Sequence, residues 1–238
     1  MKKVLALGAA TLALAGCGGN KVSVSSRIGA ASPLALTATT GSNQLNVNGG
    51  VVIKDVTIIV RRIRLEPTVA PTGQSSAGED EVGFGPFPLT FDVSAVDTGT
   101  LQRDFTVGDV AAGTYEQIKF EIHKVEDADV PTDPGDPRYA VLNAMKGLSV
   151  MVHGFDMAGT EFFFKSALDE EQEREGTFTV DGTNNITLNI DPINWFVDVG
   201  GAALAPGDPA NQSKIESNIK ASIDAYEDDN EDGKPDAK

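Results

Sequence analysis

Close to the C-terminus the chain reads DAYEDDNEDGKPDAK, and Asp228, Asn230, Asp232, Gly233 and Asp236 fall there at the spacing D-x-N-x-D-G-x-x-D. A hard divalent cation needs several oxygen ligands from one loop, and a glycine lets such a loop turn sharply. With Asp228 as the first position, Asn230 and Asp232 are third and fifth, Gly233 is sixth, the Lys234 carbonyl is seventh and Asp236 is ninth. The spacing predicts a weak structural calcium site that orders the tail. The twelfth position, where a bidentate Glu would stand, falls beyond Lys238, so the expected affinity lies at roughly 10⁻⁴–10⁻³ M. The competing reading is a solvated acidic tail that merely repels other anions.

The remaining chemistry-bearing residues are scattered. His123 and His153 are the two histidines, and each sits on a predicted strand at the parity opposite to its apolar neighbours. On adjacent strands they would supply half of a zinc or copper site, completed by Asp or Glu; apart, they read as two solvated surface histidines. EDADVPTDPGD offers Glu126, Asp127, Asp129, Asp133 and Asp136 to a cation, yet its two prolines, with Pro137 directly after, also suit a rigid exposed loop. LDEEQERE reads as a solvated charged turn, since nothing separates its carboxyl groups into an acid and a base. Arg61, Arg62 and Arg64 suit an anionic glycan or lipid headgroup, or pair with the chain's own acids. Trp195 is either a sugar-stacking platform or a core anchor. The chain has no G-x-S-x-G, H-E-x-x-H, G-x-G-x-x-G or phosphate-binding glycine loop. A non-enzymatic protein is the expectation. The alternative is a metal-handling protein or hydrolase that uses His123 and His153 with nearby acids.

At the other end, Lys2 and Lys3 precede the apolar run VLALGAATLALAG, too short to span a bilayer as a mature helix, so it reads as a secretory signal. The run closes on Leu14-Ala15-Gly16-Cys17, which resembles the lipobox of bacterial lipoproteins. That resemblance implies cleavage before Cys17, a thioether-linked diacylglycerol on its sulfur, and acylation, such as palmitate, of its new amino group. Two or more chains anchor stably, because each buried methylene contributes about 0.8 kcal/mol. Gly18 after the cysteine implies delivery to the outer membrane, on its periplasmic face or at the cell surface.

Cys17 is the only cysteine, which excludes an intrachain disulfide and a thiolate zinc cluster. The chain carries 19 Lys and Arg against 35 Asp and Glu; without Lys2 and Lys3 the basic total falls to 17, a formal charge of −18. So negative a surface repels phosphate backbones and excludes nucleic acid as a partner. The sequence divides into a signal (1–16), a lipidated cysteine with a flexible stalk rich in Ser, Thr, Gly and Ala (17–44), a β-sandwich domain (45–210), and a helix with the acidic tail (211–238). SPLALTAT in the stalk reads alternatively as an edge strand.

Period two dominates the middle of the chain. VVIKDVTIIVRRIRLEP is the longest strand, and its parity shifts near Ile59, which predicts a bulge or a change of sheet. FPLTFDV and GTYEQIKFEIHKV follow, the latter with Ile118, Phe120 and Ile122 on one face and Gln117, Lys119, Glu121 and His123 on the other. LSVMVHGFDMAGTEFFFKSAL predicts a hairpin turning at Asp156 to Gly159, and GTFTVDGTNNITLNID a second one. The fold class expected is mainly β, an antiparallel sandwich with a C-terminal amphipathic helix. Its core should contain Val56, Ile58, Val60, Phe91, Ile118, Phe120, Ile122, Val150, Val152, Phe162, Phe164, Phe178, Ile186, Leu188 and Ile190. SKIESNIKASIDAY puts Ile215, Ile219, Ile223 and Tyr226 on one helical face, with Ser213 and Glu216 as a capping box.

GTYEQIKFEI, the late NWF and NIKASIDAYEDDNEDGKPD make the chain similar, over roughly residues 45 to 236, to uncharacterised bacterial lipoproteins with prealbumin-like or immunoglobulin-like sandwiches. The tail resembles the calcium loops of EF-hand and thrombospondin-type repeats, with the helix ending near Tyr226 as an entering helix. Together these readings imply a lipid-anchored envelope protein with a binding, adhesion or scaffolding role toward a protein or glycan partner.

Overall fold

Alternation of apolar and polar residues builds two sheets. The computed structural model describes residues 20–28, 45–68, 80–82, 85–92, 103–230 and 235–236. In chain order the strands are β1 (Asn20–Ile28), β2 (Leu45–Val47), β3 (Val51–Pro67), β4 (Asp80–Val82), β5 (Phe87–Asp92), β6 (Arg103–Val110), β7 (Gly113–Ile122), β8 (Val150–Phe155), β9 (Glu161–Ser166), β10 (Glu170–Val180), β11 (Thr183–Ile190) and β12 (Ile223–Glu227). Helix α1 (Tyr139–Ala144) lies between β7 and β8, and α2 (Gln212–Ala221) between β11 and β12. One sheet has four strands in the order β12-β11-β1-β6; the other has eight, following β10-β7-β3-β8-β9 with β2, β4 and β5 also on β3. The expected mainly β sandwich with a C-terminal helix is the fold observed.

β3 is the axis of the larger sheet. Ile58 pairs with Leu89 of β5 and with Val150 of β8, while Val60 pairs with Phe87 of β5 and Ile122 of β7. A strand has only two edges, so β8 and β7 follow one another along one edge and β5 occupies the other. The segment 123–149 leaves the sheet where β7 and β8 part: the His123 amide donates to the Ile59 carbonyl at 3.0 Å, and the Ile59 amide donates to Ser149 at 2.8 Å.

Parity decides what each face buries. Val56, Ile58, Val60, Ile63 and Leu65 join the main core, with Phe91, Ile118, Phe120, Ile122, Val150, Val152, Phe164, Phe178, Ile186, Leu188 and Ile190. All the residues expected in the core are there, Phe162 only partly buried against its edge. The parity shift expected near Ile59 falls later, between Arg61 and Ile63, where the pairing with β7 slips and Arg62 adopts a left-handed φ of 59°. Ile59 itself keeps the outward parity. It is buried from the other side, by Val125, Leu142 and Met145 of the 123–149 segment, with Met151 of β8 packed alongside.

One glycine permits a close approach. A Cβ on Gly154 would meet the Val52 carbonyl oxygen at 2.1 Å, beside the point where β3 and β8 slip register.

Several expectations are corrected. The stalk proposed for residues 17–44 contains β1, in which Val22, Val24 and Ile28 reach the core and the strand runs parallel to β11. Small serines between those apolar residues look like linker composition, yet they suit the crowded interior of the smaller sheet. The edge strand expected in SPLALTAT lies outside the described residues. GTFTVDGTNNITLNID is not a hairpin: β10 pairs with β7 in one sheet and β11 with β1 and β12 in the other, so Asp181-Gly182 carries the chain across the sandwich. LDEEQERE is largely strand β10 rather than a turn, its charges alternating along the sheet face. The C-terminal helix ends at Ala221, and Ile223 and Ala225 are buried as part of β12, paired antiparallel with β11. Ser213 lies inside the helix and makes no capping box; Glu216 instead accepts from Ser166 at 2.7 Å and from Gln212. The hairpin at Asp156 to Gly159 forms as expected, with Asp156 accepting from the amides of Ala158 and Thr160.

Candidate metal centre

Three elements meet beside the end of β7. Glu121 and His123 are two residues apart, so both point outward from the sheet, opposite to Phe120 and Ile122. Asp169 stands at the entrance of β10, which pairs with β7 from Glu170 to Ile122. Glu121, His123 and Asp169 each present one ligand atom, and these atoms lie within 4.8 Å of one another.

His123 is 2% exposed, because the 123–149 segment folds over it. This corrects the expectation of a solvated histidine. Its Nε2 lies 2.7 Å from Asp129 Oδ2, an oxygen that also accepts from the Glu126 amide at 2.7 Å. Its Nδ1 has no hydrogen-bond partner among the described residues; Asp169 Oδ1 stands at 3.4 Å and Glu121 Oε1 at 3.7 Å. Burial alone would raise the Asp129 pKa, but the Glu126 amide and His123 outweigh it and hold the carboxyl below its ordinary value.

Arginine frames the centre on the sheet side. Arg61, opposite Glu121 on β3, grips it through Nε to Oε2 at 3.1 Å and Nη2 to Oε1 at 2.6 Å. That bond, working against burial, holds the Arg61 pKa above its usual value. The pattern continues outward as a lattice: Arg64 pairs with Glu171 at 2.8 Å, and Lys119 with Glu66 at 2.8 Å. Arg61 and Arg64 therefore pair with the chain's own acids. Of the acids in EDADVPTDPGD, Asp129 is the one that joins the centre. Asp133 accepts from the Gly135 amide and Asp136 binds Arg138.

The two histidines do not share a site. His153 faces Asp55 across the β3–β8 pair, four residues along β3 from Ile59, roughly 13 Å at 3.3 Å per residue. Its Nδ1 contacts Asp55 Oδ2 at 2.7 Å and its Nε2 contacts Glu161 Oε1 at 2.9 Å, while Phe163 stacks on the ring at 4.4 Å. Burial would lower the His153 pKa, and the hydrogen bonds to Glu161 and Asp55 raise it overall above 6.5.

The C-terminal tail is entered by β12, not by a helix. Asp228 is fully buried and accepts from Thr187 at 2.9 Å. Asp229, which the loop spacing passes over, accepts from the Asn185 amide and the Asn184 side chain. Asp236 reaches back to accept from the Asp229 amide at 2.7 Å and the Asn230 side chain at 2.8 Å. Asp232, Gly233 and Lys234 lie outside the described residues, as does Cys17. Trp195 is a core anchor with no exposure, its Nε1 donating to Ser222 Oγ at 2.6 Å. A polar groove of about 790 Å³ runs along α2, lined by Arg174, Asn189, Asp191, Asn194 and Lys220 among others.

The Glu121–His123 pair was legible as one strand face, but Asp169 and Asp129 were not, since one enters from the next strand and the other from the covering loop. No family model and no curated protein matches the chain. Among solved structures, MbnP from Methylosinus trichosporium aligns with a TM-score of 0.37 and 12% identity, over 80% of this chain and 85% of that one. No helix among the described residues is long and apolar enough to cross a membrane.

Proposed function

We propose that this protein is a lipid-anchored, non-enzymatic component of the bacterial cell envelope, tethered to the outer membrane through Cys17, that binds a divalent cation beside β7. The observation that carries the cation reading is the convergence of Glu121, His123 and Asp169 within 4.8 Å where β7 ends and β10 begins, with His123 buried and Asp169 exposed. The lipobox and the acidic charge support the anchored, nucleic-acid-free part. An ion that binds only the folded chain stabilises it by about 2.7 kcal/mol at a hundred times its Kd. Thermal unfolding of the chain with a series of divalent cations is the test. A rise in Tm that disappears when Glu121→Gln and Asp169→Asn are combined supports the reading; equal Tm values with and without every cation would remove it.

The tail carries a second cation reading. Asp236 accepts from the Asp229 amide and the Asn230 side chain, which brings the third and ninth positions of the calcium spacing together, while Asp228, the first, is buried against Thr187. Weak calcium binding there, through Asp228, Asn230, Asp232, the Lys234 carbonyl and Asp236, is tested by calorimetry with Asp232→Ala and Asp236→Ala. Heats identical to those of the unaltered chain would leave only a hydrogen-bonded acidic tail.

A further inference from the structure

We infer that the centre beside β7 takes a borderline transition-metal ion of the zinc class, ligated by His123 Nδ1 with Glu121 and Asp169, and that Asp129 is the residue that positions the imidazole. This rests on the cation-binding reading above and names its ion, its nitrogen ligand and its supporting carboxylate.

The tautomer follows from geometry. Asp129 Oδ2 accepts the Glu126 amide, a group that can only donate, and lies 2.7 Å from His123 Nε2. The ring proton therefore sits on Nε2 and points at Asp129. The Nδ1 lone pair is left facing Asp169 Oδ1 at 3.4 Å and Glu121 Oε1 at 3.7 Å, in a ring that is 2% exposed, with no donor among its hydrogen-bond partners. An acceptor in a buried ring with no donor in reach is costly unless a cation meets it, and Asp169, whose side chain is 44% exposed, leaves the site open to an ion. Metal-ligating histidines generally hand their other N–H to a carboxylate, which fixes the ring and raises the basicity of the ligating nitrogen. Asp129 stands in that position.

The ligand set selects the ion. Bonds of 2.0–2.2 Å to a tetrahedral zinc ion place donor atoms about 3.4 Å apart, close to the two contacts of Nδ1. An imidazole nitrogen with two carboxylates suits zinc and its neighbours, whereas calcium takes six to eight oxygens and no nitrogen. Arg61 holds both oxygens of Glu121, including the Oε1 that faces Nδ1, so the carboxylate is fixed in place and an ion would share Oε1 with the guanidinium.

Calorimetric titration of the full chain with zinc and, separately, with calcium tests the assignment, together with long-range proton–nitrogen NMR of the imidazole rings. One zinc equivalent is expected to be lost in His123→Ala and weakened about 10- to 100-fold in Asp129→Asn. Zinc should also shift the His123 Nδ1 resonance while the proton stays on Nε2. Circular dichroism of each variant separates loss of binding from loss of fold, and His123→Gln, which keeps the bulk, is the fallback should alanine unfold the loop. Zinc binding unchanged in a folded His123 variant overturns the assignment, as does a proton on Nδ1 that zinc fails to displace. Calcium binding that needs Glu121 and Asp169 but ignores His123 would overturn the ion class and leave the cation-binding reading standing. Loss of every cation effect would overturn both.

Discussion

His153 holds a bridge across three strands, with Asp55 on one side, Glu161 on the other and Phe163 against the ring. Its folded pKa lies above 6.5, so the folded chain binds this proton more tightly than the unfolded one. The stabilisation is complete below about pH 6.5 and is lost as pH rises through the folded pKa. Urea midpoints for the unaltered chain should fall on going from pH 6 to pH 8.5 by more than those of His153→Gln; parallel pH profiles would show that the clamp contributes nothing. Gly154→Ala should cost about 1–3 kcal/mol or more, since its Cβ meets the Val52 carbonyl inside a packed sheet. A chemical-denaturation curve indistinguishable from the unaltered chain would contradict that close approach. At this scale the sequence told which residues share a face but not what covers the face. His123 and His153 have the same outward parity, and the 123–149 segment buries the first while the second stays half-buried between Asp55, Glu161 and Phe163.

Among the elements, β3 shows why periodicity carries most of the fold and where it stops. Its apolar residues place the core correctly on both sides of Arg62, and the slip in parity is visible as Ile63 and Leu65 following Ile58 and Val60. Ile59 misleads, because it looks like the start of the slip and is in fact the floor of a second, smaller core under α1. Leu142→Ala in that smaller core should cost about 2–5 kcal/mol, and hydrogen exchange should speed up in residues 124–148 before β3 is affected. Uniform acceleration throughout the chain would show that the two clusters unfold as one. The C-terminal helix was over-extended for a related reason. Ile219 and Ile223 are four apart and fit a helix, but Ile223 and Ala225 also alternate, and a free edge of β11 rewards the strand with five paired residues. The connection from β10 to β11 gives the same lesson, since Asp-Gly signals a tight turn without saying whether the next strand returns to the same sheet.

For the whole molecule, the sandwich was legible and the pairing of distant strands was not. β1 joins β11 in parallel from more than 150 residues away in sequence, a contact that composition alone cannot announce when the strand is Val-Ser-Val-Ser. The acidic charge favours cations over nucleic acid as partners. Cys17→Ser should abolish incorporation of a palmitate analogue and leave precursor uncleaved; equal labelling of variant and unaltered chain would remove the tether from the account. The proposed cation centre depends on the same assembly: Glu121 and His123 at the end of β7, Asp169 just before β10, and Asp129 from the segment that covers His123. Equilibrium dialysis against zinc, followed by elemental analysis of the protein, tests it most directly when the unaltered chain is set beside one carrying Glu121→Gln, His123→Ala and Asp169→Asn. The account predicts about one ion per chain more in the unaltered protein than in the triple variant. Equal zinc content in the two, with both folded, would contradict it.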